Sequence, residues 1–242
     1  CQCCSINYNL RDDEMTYVLV AENFPEKAAE KLKKYGQVVR TKANKNVLEE
    51  LDTHPDILVH PLPSGDLVVD RDNFDYYKEI FKDKKVLPSH SSLSAKYPGD
   101  IHLNAFAFKN IFIHNLKHTD QVILDYYKRA DYDFINIKQG YAKCSCLVTE
   151  DFVITSDGGI YESLKDLIPI YKIDHGQIKL QNFNYGFIGG ASGVLGKKIF
   201  FTGDFSHHSS YEEILKIINK YDYELEILSD DTIEDFGSIY FI

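Results

Sequence analysis

The chain has 242 residues, 44% of them hydrophobic and 26% charged, with 37 acidic against 27 basic side chains and a formal charge of -10. This is enough apolar material for a folded core, so global disorder is excluded. No run approaches the roughly 18 apolar residues of a membrane helix, no basic and apolar leader opens the chain, and the acidic balance offers no broad positive field to a phosphate backbone. The expectation is a soluble chain that contacts neither membrane nor nucleic acid.

Cys1, Cys3 and Cys4 crowd the start, while Cys144 and Cys146 stand alone in the second half. This is not the spaced pattern of a disulfide framework, so reduced thiols and a cytoplasmic location are expected. Residues 1–15 read as an N-terminal extension and 16–242 as a single domain.

In chain order, one pattern recurs five times: a short β-rich run, a polar turn, a helical stretch and a second β-rich run. The first unit has Val18-Leu19-Val20, a helix from Pro25 to Tyr35, and Val38-Val39. The second has Leu67-Val68-Val69, Phe74 to Phe81, and Val86-Leu87. The third has Ile111-Phe112-Ile113, Thr119 to Arg129, and Phe134-Ile135. The fourth has Phe152-Val153-Ile154, Ile160 to Leu167, and Ile170-Tyr171. The fifth has Ile199-Phe200-Phe201, Ser210 to Lys220, and Leu225-Glu226-Ile227. The helices are amphipathic with a 3.6-residue period, and Pro25, Thr119-Asp120 and Ser209-Ser210 suit helix starts. First strands beginning at 18, 67, 111, 152 and 199 are spaced in the forties along the whole chain, as in a ring or solenoid.

A further strand is expected between units, marked by polar residues. Its five instances are 54–59, 98–104, 141–146, 188–193 and 233–239. The last, at the C-terminus, has no strand and helix after it, and Tyr17 to Lys42 supplies those parts at the other end. A solenoid has no reason to complete one repeat from both ends, whereas a closed ring does. The polar-marked strands would then converge on a shared axis.

The candidate chemistry lies in those segments. On a strand Cys144 and Cys146 share a face, with Lys143 across the pleat, and a thiolate near a cation is a competent nucleophile; either cysteine could equally be core packing. His102 stands between Asp100 and Asn104, which would orient its imidazole if the three share a face. Asp56, Asp100 and Asp235 recur at similar places and either hold junctions between units or converge on a cation; Glu234-Asp235 is the best clamp, with one acid facing the axis. Gly189-Gly190 and Gly193 suit close backbone packing, since no Gly-Lys-Ser/Thr follows to make a phosphate loop. His207-His208 after Asp204 invites a metal, but adjacent loop histidines seldom present compatible geometry. No metal or cofactor is expected.

With these features the chain resembles the pentein fold, the five-bladed α/β-propeller of guanidino-group-modifying enzymes such as arginine and agmatine deiminases and dimethylarginine dimethylaminohydrolases. The resemblance covers about Thr16 to Ile242 and rests on the repeat. It implies a small cationic guanidino ligand held by carboxylates, a histidine for proton transfer, and a cysteine that attacks the guanidinium carbon. His102 in Ile101-His102-Leu103-Asn104 would move protons, and Glu234 and Asp235, with Asp56, Asp100 and Asn104, would bind substrate. The glycine strand that in the family ends in the nucleophilic cysteine here reads Gly189-Gly190-Ala191-Ser192-Gly193. Ser192 then substitutes, or Cys144 or Cys146 attacks from the neighbouring unit, or the protein is a non-catalytic binder or a ring like the ribosome anti-association factors of this fold.

Overall fold

A computed structural model describes residues 16–242, so the expected extension with Cys1, Cys3 and Cys4 lies outside the described residues. In chain order the elements are β1 (Tyr17–Val20), α1 (Glu26–Leu32) and β2 (Gln37–Arg40); then α2 (Pro55–Leu58), β3 (Val59–Pro61), β4 (Leu67–Val69), α3 (Phe74–Ile80) and β5 (Val86–Pro88). Next come β6 (Phe106–Phe108), β7 (Ile111–His114), α4 (Gln121–Arg129) and β8 (Asp133–Asn136), followed by β9 (Cys146–Val148), β10 (Val153–Thr155), α5 (Gly158–Leu164) and β11 (Ile170–Lys172). The chain ends with β12 (Ser192–Leu195), β13 (Lys198–Phe201), α6 (Tyr211–Lys220), β14 (Glu224–Ile227) and β15 (Tyr240–Phe241).

The described strands form five three-stranded sheets, ordered β15-β1-β2, β3-β4-β5, β6-β7-β8, β9-β10-β11 and β12-β13-β14. In each, the middle strand pairs antiparallel on one side and, across a helix, parallel on the other, as in Ser192↔Phe201 and Phe201↔Ile227. The first sheet joins the two ends of the chain: β1 pairs with β15 at Val18↔Phe241 and Leu19↔Tyr240.

The middle strands are continuous apolar runs because both of their faces are buried. Alternate residues enter different clusters. Leu19 packs with Leu67 and Val69, whereas Val18 and Val20 pack with Phe200. Val68 meets Phe112 and Tyr127. Ile113 meets Val153, and Phe152 and Ile154 meet Ile199 and Phe201. Each sheet thus shares one core with the next, and the fifth shares one with the first. The helices follow their 3.6-residue period, with Ile123 and Tyr127 buried on α4 and Ile214, Ile217 and Ile218 on α6.

The polar-marked segments differ from expectation. Four of them are single turns that precede β3, β6, β9 and β12, closed by bonds such as Leu58 N to His54 O, Asn104 N to Ile101 O, Ser145 N to Tyr141 O and Ala191 N to Phe187 O, whereas 233–239 runs extended into β15 and bridges Lys179 at Glu234 and Gly193 at Ile239. The Pro, Gly, Asp, Asn and Ser that mark them are turn-formers, and the strand begins only where apolar residues resume. Strand alternation therefore does not govern the side chains of the four turns, whereas in the extended fifth segment Glu234 points to Lys179 and Asp235 is buried, as alternation expects.

Helix starts also tie neighbouring units together. Asp120, at the N-cap of α4, accepts from Val122 N and also from His90 N and Ser91 N of the preceding unit. Ser210 stands at the N-cap of α6, but its hydroxyl accepts from Asp174 N of the preceding unit instead of capping its own helix. Asp120→Ala is expected to cost about 2 kcal/mol in urea unfolding, more than an ordinary cap, because it strands amides in two units.

Candidate functional site

The four turns and the extended segment 233–239 meet at one place, in a closed cycle of hydrogen bonds. Ser238 N donates to Gly190 O, Gly190 N to Cys144 O, and Lys143 N to Asn104 O. Asn104 Nδ2 donates to Asp56 O, and Asp56 N to Gly237 O, which returns to the first turn. Side chains reinforce the cycle. Asn104 Oδ1 accepts from Lys143 N at 2.9 Å and Cys144 N at 3.1 Å, while its Nδ2 lies 2.9 Å from Cys144 Sγ. Asp235 accepts from Phe187 N and Gly237 N, and Ser238 Oγ lies 2.6 Å from Asp56 Oδ2 and 2.9 Å from Gly189 O. The glycines have a steric cause: a Cβ on Gly190 would stand 1.9 Å from Asp235 Oδ1, and Gly237, at φ 74°, faces the His54 side chain.

A cavity of about 230 Å³ opens beside this cycle. Its polar lining is His54, Cys144, Asn184 and Asp235; the rings of Tyr141, Phe183, Tyr185 and Phe187 share the cavity with them, and Leu51, Ile57 and Leu180 complete the apolar surface. His54 Nδ1 stands 3.9 Å from Asp235 Oδ1 and has no hydrogen-bond partner. That separation is too long for a hydrogen bond and close enough to become one on a small movement.

Burial dominates the electrostatics. It pushes the Asp235 carboxyl up to about 6, against the two backbone N–H donors and Lys143, and raises Asp56 despite His54 and Lys143 nearby. It lowers His54, so the imidazole is neutral at pH 7. Burial, then the Asp56 and Asp235 charges, raise Cys144 well above an ordinary thiol, so it rests protonated, with a neutral base lining the same cavity. Lys143 Nζ lies below the cavity wall, donating to Ser238 Oγ at 3.0 Å over the Tyr240 ring, and burial lowers its pKa.

The sequence-derived candidates divide accordingly. Cys144 and Asp235 line the cavity. Asn104 and Asp56 stand behind Cys144, and Asp100 stands behind Tyr141, whose hydroxyl it accepts from. His102 is elsewhere: its Nδ1–H donates to His118 O, tying its turn to the loop before α4. Ser192 is buried with its hydroxyl donating to Gly189 O. Glu234 turns away to pair with Lys179 at 2.8 Å. Cys146 packs with Phe106 and Val153 in another cluster, burial pushing its thiol up to about 12. His208 Nδ1 accepts from Ser210 N, apart from His207, and among the described residues no group of three His, Cys, Asp or Glu side chains is arranged to hold a metal. No described helix is long and apolar enough to cross a membrane.

Sequence reasoning missed His54, Lys143, Ser238 and Tyr141 as parts of this centre. The available signal was position: each stands within a polar-marked segment that also carries a candidate.

With five small α/β sheets and a buried polar centre, the structure has the pentein fold. The structure is similar to C. jejuni agmatine deiminase, with a TM-score of 0.55 at 7% identity over 94% of this chain and 93% of that one. It is similar to a cysteine-to-serine variant of the DDAH from Pseudomonas aeruginosa complexed with citrulline, with a TM-score of 0.54 at 7% identity over 89% of this chain and 92% of that one. ArgZ, an arginine dihydrolase of the cyanobacterial ornithine-ammonia cycle, matches with a TM-score of 0.51 at 12% identity over 88% of this chain but 36% of its own. Within this fold the chain belongs to the family described as Family of unknown function (DUF6873), whose model matches residues 19–240. No curated protein sequence matches it.

Proposed function

We propose that the five sheets are the blades of a one-domain α/β-propeller whose central cavity binds a small guanidinium or amidinium ion and cleaves one of its C–N bonds. The observation that carries this is the meeting of Cys144, His54 and Asp235, from three different units, on one aromatic-walled cavity. The fold supports it, since the similar structures include an agmatine deiminase and a DDAH complexed with citrulline.

Asp235 holds the cation, and the facing rings add cation–π attraction. Burial first, and then the Asp56 and Asp235 charges, keep Cys144 protonated; the bound positive charge offsets the second of these causes, so ligand binding itself lowers the thiol pKa. Sγ then attacks the guanidinium carbon while His54 takes the thiol proton. The C–N bond breaks as that proton passes to the departing amine or ammonia, leaving a thiouronium on Cys144. Water adds to the same carbon, giving one proton to His54; the C–S bond breaks, the thiol regains that proton, the remaining hydroxyl proton passes to solvent, where it protonates the released amine or ammonia, and a ureido product leaves. In this mechanism His54 replaces His102 as the proton-transfer group.

The test is release of ammonia or amine from a panel of guanidine and amidine compounds. Release by the native chain, its loss in Cys144→Ser, and a decrease of about a hundredfold in His54→Gln are expected. Binding measured on Cys144→Ser should strengthen as pH rises through about 6, because Asp235, its pKa raised by burial, is neutral below that pH and anionic above it. Binding without release by the native chain would favour a non-catalytic binder, a second possibility suggested by Cys144 being only 4% exposed. Neither binding nor release would remove the proposal.

A further inference from the structure

We infer that the cavity selects a guanidinium or amidinium ion bearing a short apolar substituent and no carboxylate; this rests on the proposed cation-binding role of the cavity. The lining holds a single carboxylate, Asp235, and among the described residues neither lysine nor arginine lines it. The nearby Lys143 is committed beneath, with its ammonium on Ser238 Oγ. A ligand carboxylate would therefore shed water without gaining a cationic partner, in a space where the fixed charge is already negative.

Apart from His54, Cys144 and Asn184, the remaining lining is aliphatic or aromatic. Phe183 and Tyr185 are 43% and 38% exposed, unusually open for large rings, and they continue the wall formed by Phe187, Leu51 and Leu180. Tyr185 packs edge-on against Phe187 at 6.0 Å, and Phe187 stacks on Tyr141 at 6.3 Å, giving a continuous aromatic face from mouth to floor. Exposed rings beside a polar floor suit a ligand whose charged head sits on Asp235 and whose hydrocarbon tail covers the rings on the way out. At about 230 Å³ the cavity is below the usual range for drug-sized ligands, which limits that tail to a few carbons.

The experiment is calorimetric titration of the full chain carrying Cys144→Ser with methylguanidine, n-butylguanidine and 4-guanidinobutyrate. The last two have tails of similar reach that end in a methyl group and a carboxylate. Each methylene buried strengthens binding about fourfold, so n-butylguanidine is expected to bind more than tenfold tighter than methylguanidine. Desolvating an unpaired carboxylate should leave 4-guanidinobutyrate about a hundredfold weaker than n-butylguanidine. Equal affinities for those two would overturn the inference while leaving cation binding standing. If no guanidinium compound binds at all, the proposed function fails and takes the inference with it. Tyr185→Ala, a change at an exposed ring, should weaken n-butylguanidine about fivefold and barely affect methylguanidine. An unchanged n-butylguanidine affinity in that variant would overturn the apolar-tail assignment.

Discussion

Replacing Asn104 by leucine is expected to lower folding stability by about 3–5 kcal/mol, because Cys144 N and Asp56 O lose their partners at a fully buried position and each such loss costs about 1–3 kcal/mol. Lys143 N loses one of two acceptors, since the Asn104 carbonyl remains. Three consecutive units are tied through this one amide, so the loss should appear as a shift of the whole urea transition and not as local fraying. Asn104→Asp separates the two roles of the side chain. It keeps the acceptor for Lys143 N and Cys144 N, removes the donor to Asp56 O and Cys144 Sγ, and adds a carboxylate near Asp56. Its cost should shrink on acidification, as the new carboxyl and Asp56 take up protons, whereas the cost of leucine should not follow that course. A loss below about 1 kcal/mol for Asn104→Leu would mean that packing, and not this amide, holds the centre together.

How far the sequence discloses this arrangement depends on the physics of each segment. The middle strands were legible because burial on both faces forces continuous runs such as Ile199-Phe200-Phe201, and the pairing of the chain's two ends followed from the repeat that β15 and β1 complete together. The polar segments were harder to read. Six or seven residues rich in Gly, Asp, Asn and Ser suit a turn as well as an irregular strand, and the choice fixes where every side chain points. On a strand Lys143 and Cys144 face opposite ways; in a turn adjacent residues diverge by about 100°, and both can serve one centre. The same error favoured His102, whose flanking Asp100 and Asn104 would share its face only on a strand. The turn sends His102 to His118 O and leaves His54, at the start of α2, on the cavity. Cys144 and Asp235 were legible because a thiol and a paired acid in such segments attract notice under either geometry.

Lys143→Met should produce a loss that depends on pH. Lys143 is a cation that favours the ionised form of both Asp56 and Asp235, and removing it at pH 7.5 leaves the ionised Asp235 buried without that partner, a change that costs about 3–5 kcal/mol when a buried charge loses its partner. The sign with pH follows from the directions of the shifts. Both carboxyls already have folded pKa values above their unfolded ones, Asp235 at about 6, and losing the cation raises them further. A group with a raised folded pKa binds more protons in the folded chain, so its contribution to stability falls as pH rises through the window between the unfolded and folded values. The variant should therefore be most destabilised relative to the native chain at neutral pH and above, and the gap should close as pH falls through about 6 towards 4. The native chain itself loses at low pH, because Lys143 then stays charged with neutral neighbours and its lowered folded pKa opposes protonation in the folded state. Adding Asp56→Asn to Lys143→Met removes the second buried acid beside Asp235 while leaving an oxygen to accept from Ser238 Oγ, and should recover part of the loss at pH 7.5. A destabilisation of Lys143→Met that is the same at pH 5 and pH 7.5, or a double variant no better than the single one, would mean that Lys143 matters through its packing on the Tyr240 ring and not through its charge.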